Sequence, residues 1–302
     1  MKVVFLGTGG TYPSKHRNVT SVALQMPGEV LMFDCGEGTQ RQLMHSSVSF
    51  MRISKVFVTH LHADHFLGIP GLIQSMSLNG RESELAIYGP NGTEETVKAM
   101  LNLGYFKCGY PVEARDIAPD STLDFGTYTV RTASADHTVP ALAYAVEESA
   151  RPGRFDPSKA KALGVLEGPM FRRLQEGRAV TVKGSQVRPE EVMGPPRRGR
   201  KFVYTGDTRP SEGLVEFSRG ADVLVHDCTV DSKHAKLASE FGHSTAAGAA
   251  SVAKAACVKR LFLVHFSPRY DDVGILREEA RVTFPDSETA EEFSDHVVRH
   301  SE

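Results

Sequence analysis

Short apolar blocks and period-two alternation dominate the first part of the chain, predicting strands at 2–6, 19–25 and 29–34. A helix near Thr39 to Ser46 follows. The apolar stretch Ile53 to Thr59 reads as a further strand, and Phe66 to Ser77 as the next helix. Strand-like pieces at 84–88 and 127–132 flank a helix near Thr93 to Leu103; strands at 201–204, 222–226 and 260–264 alternate with helical stretches. A β-rich opening that becomes strand–helix alternation predicts an α/β fold in which two sheets face each other with helices outside, a four-layer αβ/βα sandwich.

The segment from about Glu148 to Arg200 breaks this pattern. Pro152-Gly153, Gly168-Pro169 and Gly194-Pro195-Pro196 cut it into short pieces, and apolar periodicity is weak except around Ala160 to Leu166. Between Arg151 and Lys201 stand thirteen Lys or Arg against five Asp or Glu, an excess of +8 in a chain whose net charge is −2. A basic insert in an otherwise acidic chain is the electrostatic footprint of a nucleic-acid contact. The predicted organisation is one domain over 1–302 with an inserted basic protrusion at about 150–200.

With 302 residues and 40% apolar content the chain can bury a large core. No run approaches eighteen consecutive apolar residues, and Met1 leads straight into strand-like Lys2 to Leu6, so a soluble cytoplasmic protein without a membrane partner is expected. Cys35, Cys108, Cys228 and Cys257 form no CxxC pair; they read as ordinary thiols, mostly inside. Gly7-Thr8-Gly9-Gly10 lacks the third spaced glycine and the following helix of a dinucleotide fingerprint, which argues against a nucleotide cofactor. It reads as a tight turn on the floor of a site.

The chemistry concentrates in His60-Leu61-His62-Ala63-Asp64-His65, three imidazoles and a carboxylate at one strand end. These are ligands that zinc accepts, and a tight loop limits the chain entropy lost in converging them. A bare HxH is commonly a solvated turn. Here His60 and His62 can point the same way, and Asp64 and His65 sit where the next helix begins, so one loop can face two metals. Further ligands are expected where other strands end: His137 after the strand Tyr128 to Thr132, Asp207 after Lys201 to Tyr204, and His265 after Leu261 to Val264.

At these residues the chain resembles the metallo-β-lactamase superfamily and, within it, the ribonuclease Z family of transfer-RNA 3′-processing endonucleases. The resemblance runs nearly end to end. It rests on Pro13-Ser14-Lys15-His16-Arg17-Asn18, on Phe33-Asp34-Cys35-Gly36-Glu37-Gly38-Thr39-Gln40, on Gly206-Asp207-Thr208-Arg209-Pro210 and on Gly242-His243-Ser244-Thr245. One segment departs. His226-Asp227-Cys228-Thr229 carries an aspartate where the family usually has glutamate, one methylene shorter.

The resemblance implies a metallo-β-lactamase fold with two zinc ions per subunit at one edge between the sheets, roughly 3.5 Å apart. His60, His62 and His137 are expected to hold one, Asp64, His65 and His265 the other, with Asp207 bridging. Asp64 is expected to accept the proton of the attacking water, and His243, oriented by Asp227, to serve the leaving oxygen. Asp34 is read as structural, accepting backbone hydrogen bonds near the metal loop; His226 and His234 are also left as structural. Lys15, Arg17 and Asn18 suit the phosphates and unpaired bases of an RNA 3′ end. The resemblance makes the insertion at about 150–200 a flexible substrate-binding arm, which, with Arg172 and Arg173 beside Gly168-Pro169-Met170, is expected to grip the body of the transfer RNA. The expected reaction is removal of the 3′ trailer from precursor tRNA after the discriminator base, leaving a 3′-hydroxyl, by a homodimer in which one subunit's arm holds the substrate cut by the other.

Three rivals stand beside this reading. A small-molecule hydrolase of the same fold, such as a phosphodiesterase, an arylsulfatase or a lactamase, explains the metals but leaves the basic arm idle. A diiron redox enzyme is expected to carry a carboxylate at position 62, where His62 favours zinc. An RNA-binding protein that has lost catalysis requires degraded ligands, and all seven are intact.

Overall fold

The computed structural model describes residues 1–300, which group into two compact units: residues 1–125, 129–147 and 200–300, and a smaller one built from 126–128 and 148–199. In chain order the strands are β1 (Lys2–Gly7), β2 (Ser21–Gln25), β3 (Val30–Phe33), β4 (Ile53–Phe57), β5 (Leu85–Gly89), β6 (Val112–Asp116), β7 (Thr122–Asp124), β8 (Tyr128–Ser134), β9 (Leu142–Glu148), β10 (Val180–Val182), β11 (Ser185–Val187), β12 (Lys201–Tyr204), β13 (Val223–Asp227), β14 (Leu261–Val264), β15 (Ser287–Thr289) and β16 (Asp295–Val297). The helices of the larger unit are α1 (Thr39–His45), α2 (Ala63–Phe66), α3 (Ile69–Leu78) and α4 (Thr93–Leu101) in its first half. The smaller unit holds α5 (Pro157–Ala162), α6 (Pro169–Gln175) and α7 (Pro189–Val192). The larger unit's second half then adds α8 (Glu212–Ser218), α9 (Ala235–Phe241), α10 (Ala246–Ala255) and α11 (Gly274–Thr283).

In the larger unit two seven-stranded sheets run β16-β1-β2-β3-β4-β5-β6 and β15-β14-β13-β12-β9-β8-β7. Period two decides what each strand buries. Val4 and Leu6 of β1 and Met32 of β3 pack outward with Leu72 of α3 and Val97 of α4, whereas the intervening Phe5 and Phe33 point at the second sheet. Phe33 lies 5.3 Å from Phe202 and Phe5 lies 5.2 Å from Phe262, centroid to centroid, so aromatic rings fill the space between sheets. Val203 and Leu263 face outward with Leu214 of α8, Ala250 of α10 and Leu276 of α11. The layers are therefore helix, sheet, sheet, helix, the predicted sandwich.

Three differences from the sequence expectations have physical reasons. The helix expected at Phe66 to Ser77 is two helices, α2 and α3, broken at Leu67-Gly68. Pro70 cannot donate back to Phe66, and the Gly68 N–H is drawn to the Cys35 carbonyl at 2.8 Å. The strand expected through Thr59 ends at Phe57, because the Thr59 N–H turns to the Asp34 carboxylate at 2.7 Å instead of a neighbouring strand. Of the cysteines only Cys35 and Cys228 are buried; Cys108 is half-buried and Cys257 exposed.

The smaller unit has a core of its own. Ala160, Val165, Phe171, Leu174, Val180, Val187 and Val192 cluster although they are too widely spaced to read as a periodic stripe. Its two ends meet in an antiparallel bridge, with Arg151 and Arg197 exchanging backbone hydrogen bonds at 2.8 and 2.9 Å. Arg200 and Lys201 belong to the larger unit, Lys201 opening β12, so residues 148–199 carry eleven Lys or Arg against six Asp or Glu. The insert is still basic, with a smaller excess than the wider count gave.

Candidate metal centre and active site

Strand ends deliver the candidate ligands. The loop after β4 supplies His60, His62, Asp64 and His65; those after β8, β12 and β14 supply His137, Asp207 and His265. His62 Nδ1 lies 3.0 Å from His60 Nε2 and 3.2 Å from His137 Nε2. In the second group Asp64 Oδ2 is 3.6 Å from His65 Nε2 and 3.5 Å from His265 Nε2. Asp207 Oδ2 touches both groups, at 3.1 Å from His265, 3.3 Å from His65 and 3.7 Å from His60. Zinc bonds of about 2.0–2.1 Å in tetrahedral geometry put neighbouring ligand atoms about 3.3 Å apart, so these separations are edges of coordination polyhedra rather than hydrogen bonds.

The far side of each ring fixes which nitrogen is bare. Thr229 has one hydroxyl proton and gives it to Asp227 Oδ1 at 2.7 Å, so it accepts the Nδ1–H of His265 at 3.0 Å and leaves His265 Nε2 a lone pair. Thr59 does the same for His60: its hydroxyl donates to Asp34 and accepts from His60 Nδ1 at 3.0 Å. His137 donates Nδ1–H to the Gly242 carbonyl at 2.8 Å, and His65 Nδ1 pairs with Asp34 Oδ2 at 2.7 Å. The inward atoms His65 Nε2, His265 Nε2 and Asp207 Oδ1 are buried without a hydrogen-bond partner, which is the state in which a ligand atom awaits a cation. The residues present therefore fit a two-metal group.

Charge agrees. Burial drives His60, His62 and His137 to hold protons less firmly than ordinary histidines, leaving neutral imidazoles suited to a metal. Burial opposes ionisation of Asp64, but the neighbouring His265 and His65 outweigh it and hold the carboxyl well below the usual range. His65 goes the other way. Burial works against its proton, yet Asp207 and Asp34 retain it well above the usual range, so a proton holds the place of positive charge between buried carboxylates.

Two backbone features hold this geometry. His265 and Asp34 adopt left-handed conformations, φ 65° and 55°, uncommon for residues with a side chain and concentrated at functional sites. Gly10 lies against the His265 ring, where an added Cβ would come within 2.4 Å of Cε1, so the glycine turn packs closely on a candidate ligand.

Beside the ligands, His243 Nδ1 meets Asp227 Oδ2 at 2.9 Å, and Asp227 also accepts the backbone N–H groups of Thr208 and Ser244, both at 3.2 Å. Burial disfavours the His243 proton, but the Asp227 charge and hydrogen bond prevail and its pKa is pushed up to about 9. Asp34 accepts the Thr59 N–H, together with His65 and the Tyr204 hydroxyl. His226 is buried with Nδ1 on the Asp227 carbonyl, and His234 pairs with Asp231. Arg17 spends its guanidinium on the carbonyls of Tyr270 and Asp271 and Asn18 its amide on that of Glu37, while Lys15 is exposed. Arg172 and Arg173 are exposed on α6, Arg172 paired with Glu176.

Sequence reasoning missed Thr59, Tyr204 and the orienting role of Thr229. Thr229 stood inside a quoted motif; Tyr204, a strand aromatic, carried no signal. It also missed the apolar wall of the site. Five of the seven candidate ligands, His62, Asp64, His137, Asp207 and His265, line a cavity of about 630 Å³ together with Val230, Leu237, Ala238 and Phe241.

Two facing sheets with a His/Asp ligand set at one end of the strands define a metallo-β-lactamase fold. Residues 1–108 match the family described as Anti-Pycsar protein Apyc1, and residues 176–266 the Beta-lactamase superfamily domain. The chain is 48% identical over 299 residues to Ribonuclease Z of Methanosarcina mazei, covering 99% of this chain and 98% of that protein. It is 38% identical over 307 residues to Ribonuclease Z of Bacillus licheniformis, covering 100% of both. Among solved structures, human tRNase Z, short form, superposes with a TM-score of 0.74 at 29% identity over 99% of this chain and 100% of that one. The chain belongs to the ribonuclease Z family.

Proposed function

We infer that this chain is a metal-dependent endoribonuclease that removes the 3′ trailer from precursor tRNA, hydrolysing the phosphodiester after the discriminator nucleotide. The observation that carries the reading is the convergence of all seven candidate ligands into overlapping groups, five of them lining one cavity, in a chain of this family. His60, His62 and His137 would hold one zinc, Asp64, His65 and His265 a second, and Asp207 both. Bound there, the metals would supply Lewis acidity toward the phosphoryl oxygens and bring the pKa of a water to about 7. Asp64, ionised and held by the Thr11 N–H at 2.7 Å, takes the proton of the attacking water. As the water oxygen bonds to phosphorus, the bond from phosphorus to the 3′ oxygen of the tRNA breaks. His243, protonated at neutral pH and aimed by Asp227, gives that oxygen its proton, so the tRNA leaves with a 3′-hydroxyl and the trailer with a 5′-phosphate.

The basic 148–199 unit, with Arg172 and Arg173, is assigned to the tRNA body, and Lys15 to the 3′ end, with Arg17 and Asn18 holding their shared loop in shape. A cytoplasmic homodimer, each subunit's arm serving the other's site, completes the reading. Among the described residues no helix is long and apolar enough to cross a membrane. The test is to incubate zinc-loaded protein with a 3′-extended precursor tRNA beside an Asp64→Ala control and to map the ends. A single metal-dependent cut beside the discriminator, absent in the control, is expected. An intact precursor with turnover of small esters would point to a small-molecule hydrolase instead.

A further inference from the structure

The cavity is lined by imidazoles and carboxylates of the metal groups and also by the apolar side chains of Val230, Leu237, Ala238 and Phe241, with Arg269 among the lining. Phe241 ends α9 and is 54% exposed, an uncommon position for a phenylalanine beside a cluster of polar groups. Its place is tied to the chemistry. The next residue, Gly242, closes the helix in the left-handed region and accepts Nδ1–H from His137 through its carbonyl, and the residue after that is His243. A Cβ at Gly242 would come within 2.7 Å of His137 Nδ1, so this cap seats closely against the ligand.

We propose that Phe241, backed by Leu237 and Val230, is a stacking platform for the base of the discriminator nucleotide. The inference rests on the endonuclease reading above and adds the nucleotide's seat. The side follows from the reaction: His243 protonates the 3′ oxygen that leaves with the tRNA, so the wall next to His243 belongs to the nucleotide carrying that oxygen. A base has an apolar face whatever its identity, and an exposed ring at the cavity edge offers sequence-tolerant stacking, as a tRNA-processing enzyme needs.

The test is a cycle between protein and substrate. Wild-type protein, Phe241→Ala, Phe241→Leu and Phe241→Tyr are compared on a precursor tRNA with an ordinary discriminator and on one whose discriminator is abasic. Binding is also measured, with Asp64→Ala in each background to block cutting, and with 2-aminopurine at the discriminator as a fluorescent reporter. Stacking on an aromatic ring is worth about a factor of ten or more per base. Phe241→Ala and Phe241→Leu should each lose about tenfold in affinity on the ordinary substrate and almost nothing on the abasic one. Phe241→Tyr should keep the wild-type affinity, and 2-aminopurine should be quenched by wild type and not by Phe241→Ala. Equal losses on both substrates, or unquenched 2-aminopurine in wild type, would overturn the platform while leaving cutting intact. Failure of wild type to cut the precursor at all would instead sink the endonuclease reading. Unchanged metal content and melting temperature of Phe241→Leu separate the effect from misfolding.

Discussion

Asp227 reaches Nδ1 of His243 at 2.9 Å although it is one methylene shorter than the glutamate its family usually places there. The short acid is fully buried, and both its oxygens are engaged, by Thr229 on one and by His243 and two backbone N–H groups on the other. Asp227→Glu must push an extra methylene into this closed space, an overpacking that costs about 1–3 kcal/mol. A lower melting temperature and a marked fall in single-turnover cutting are expected; an unchanged rate would show that the pocket has slack.

Asp227→Asn keeps the shape and removes the charge. His243 has a pKa raised to about 9, so its proton is present at neutral pH and lost as pH rises through that value. Without the aspartate charge the value should fall toward the ordinary 6.5 or so, and the alkaline limb of the rate profile should move down with it. Single-turnover rates across pH 6 to 10 check this; an unmoved limb would remove His243 from the proton donation.

Zinc should displace protons. Metal-free His65 is held protonated by Asp207 and Asp34 despite its burial, and a ligand nitrogen must give up that proton. Calorimetric titrations of metal-free protein in buffers of different ionisation enthalpy should show proton release at neutral pH and two metals per chain. His265→Ala should reduce the count to one.

Gly10→Ala should evict the His265 ring, because its Cβ would lie 2.4 Å from Cε1. Loss of one metal and a severe fall in activity are expected. Gly28→Ala is the control: it stands at positive φ and shares that strain with no ligand, since nothing lies within 4 Å of its Cβ, so metal content should be unaffected.

Deleting residues 152–197 and joining the ends, which meet at the Arg151–Arg197 bridge, should abolish cutting of precursor tRNA and spare a small phosphodiester such as a nitrophenyl phosphodiester. Loss of both activities together would mean that the arm and the metals do not act separately.

Much of the site was legible because its parts are local. His60, His62, Asp64 and His65 sit in one loop, and the order strand, turn, ligand recurs at His137, Asp207 and His265. The fold class followed from periodicity for the same reason. The edge strand β16 and the arm's cluster of Phe171, Val180 and Val192 were not legible, since short strands and scattered apolar residues acquire their meaning only from partners far along the chain.

The sequence alone determined the ligand chemistry, the strand-end placement and the basic insert, because residue type and spacing decide these. The tertiary structure alone decided which nitrogen of His60, His65, His137 and His265 faces inward, since that depends on Thr59, Asp34, the Gly242 carbonyl and Thr229. It also decided that Arg17 and Asn18 tie down their own loop, and that Phe241 lines the same cavity as the candidate ligands. Hydrogen bonds and cavity walls are made between segments up to a hundred or more residues apart, and only folding brings them within 3 Å.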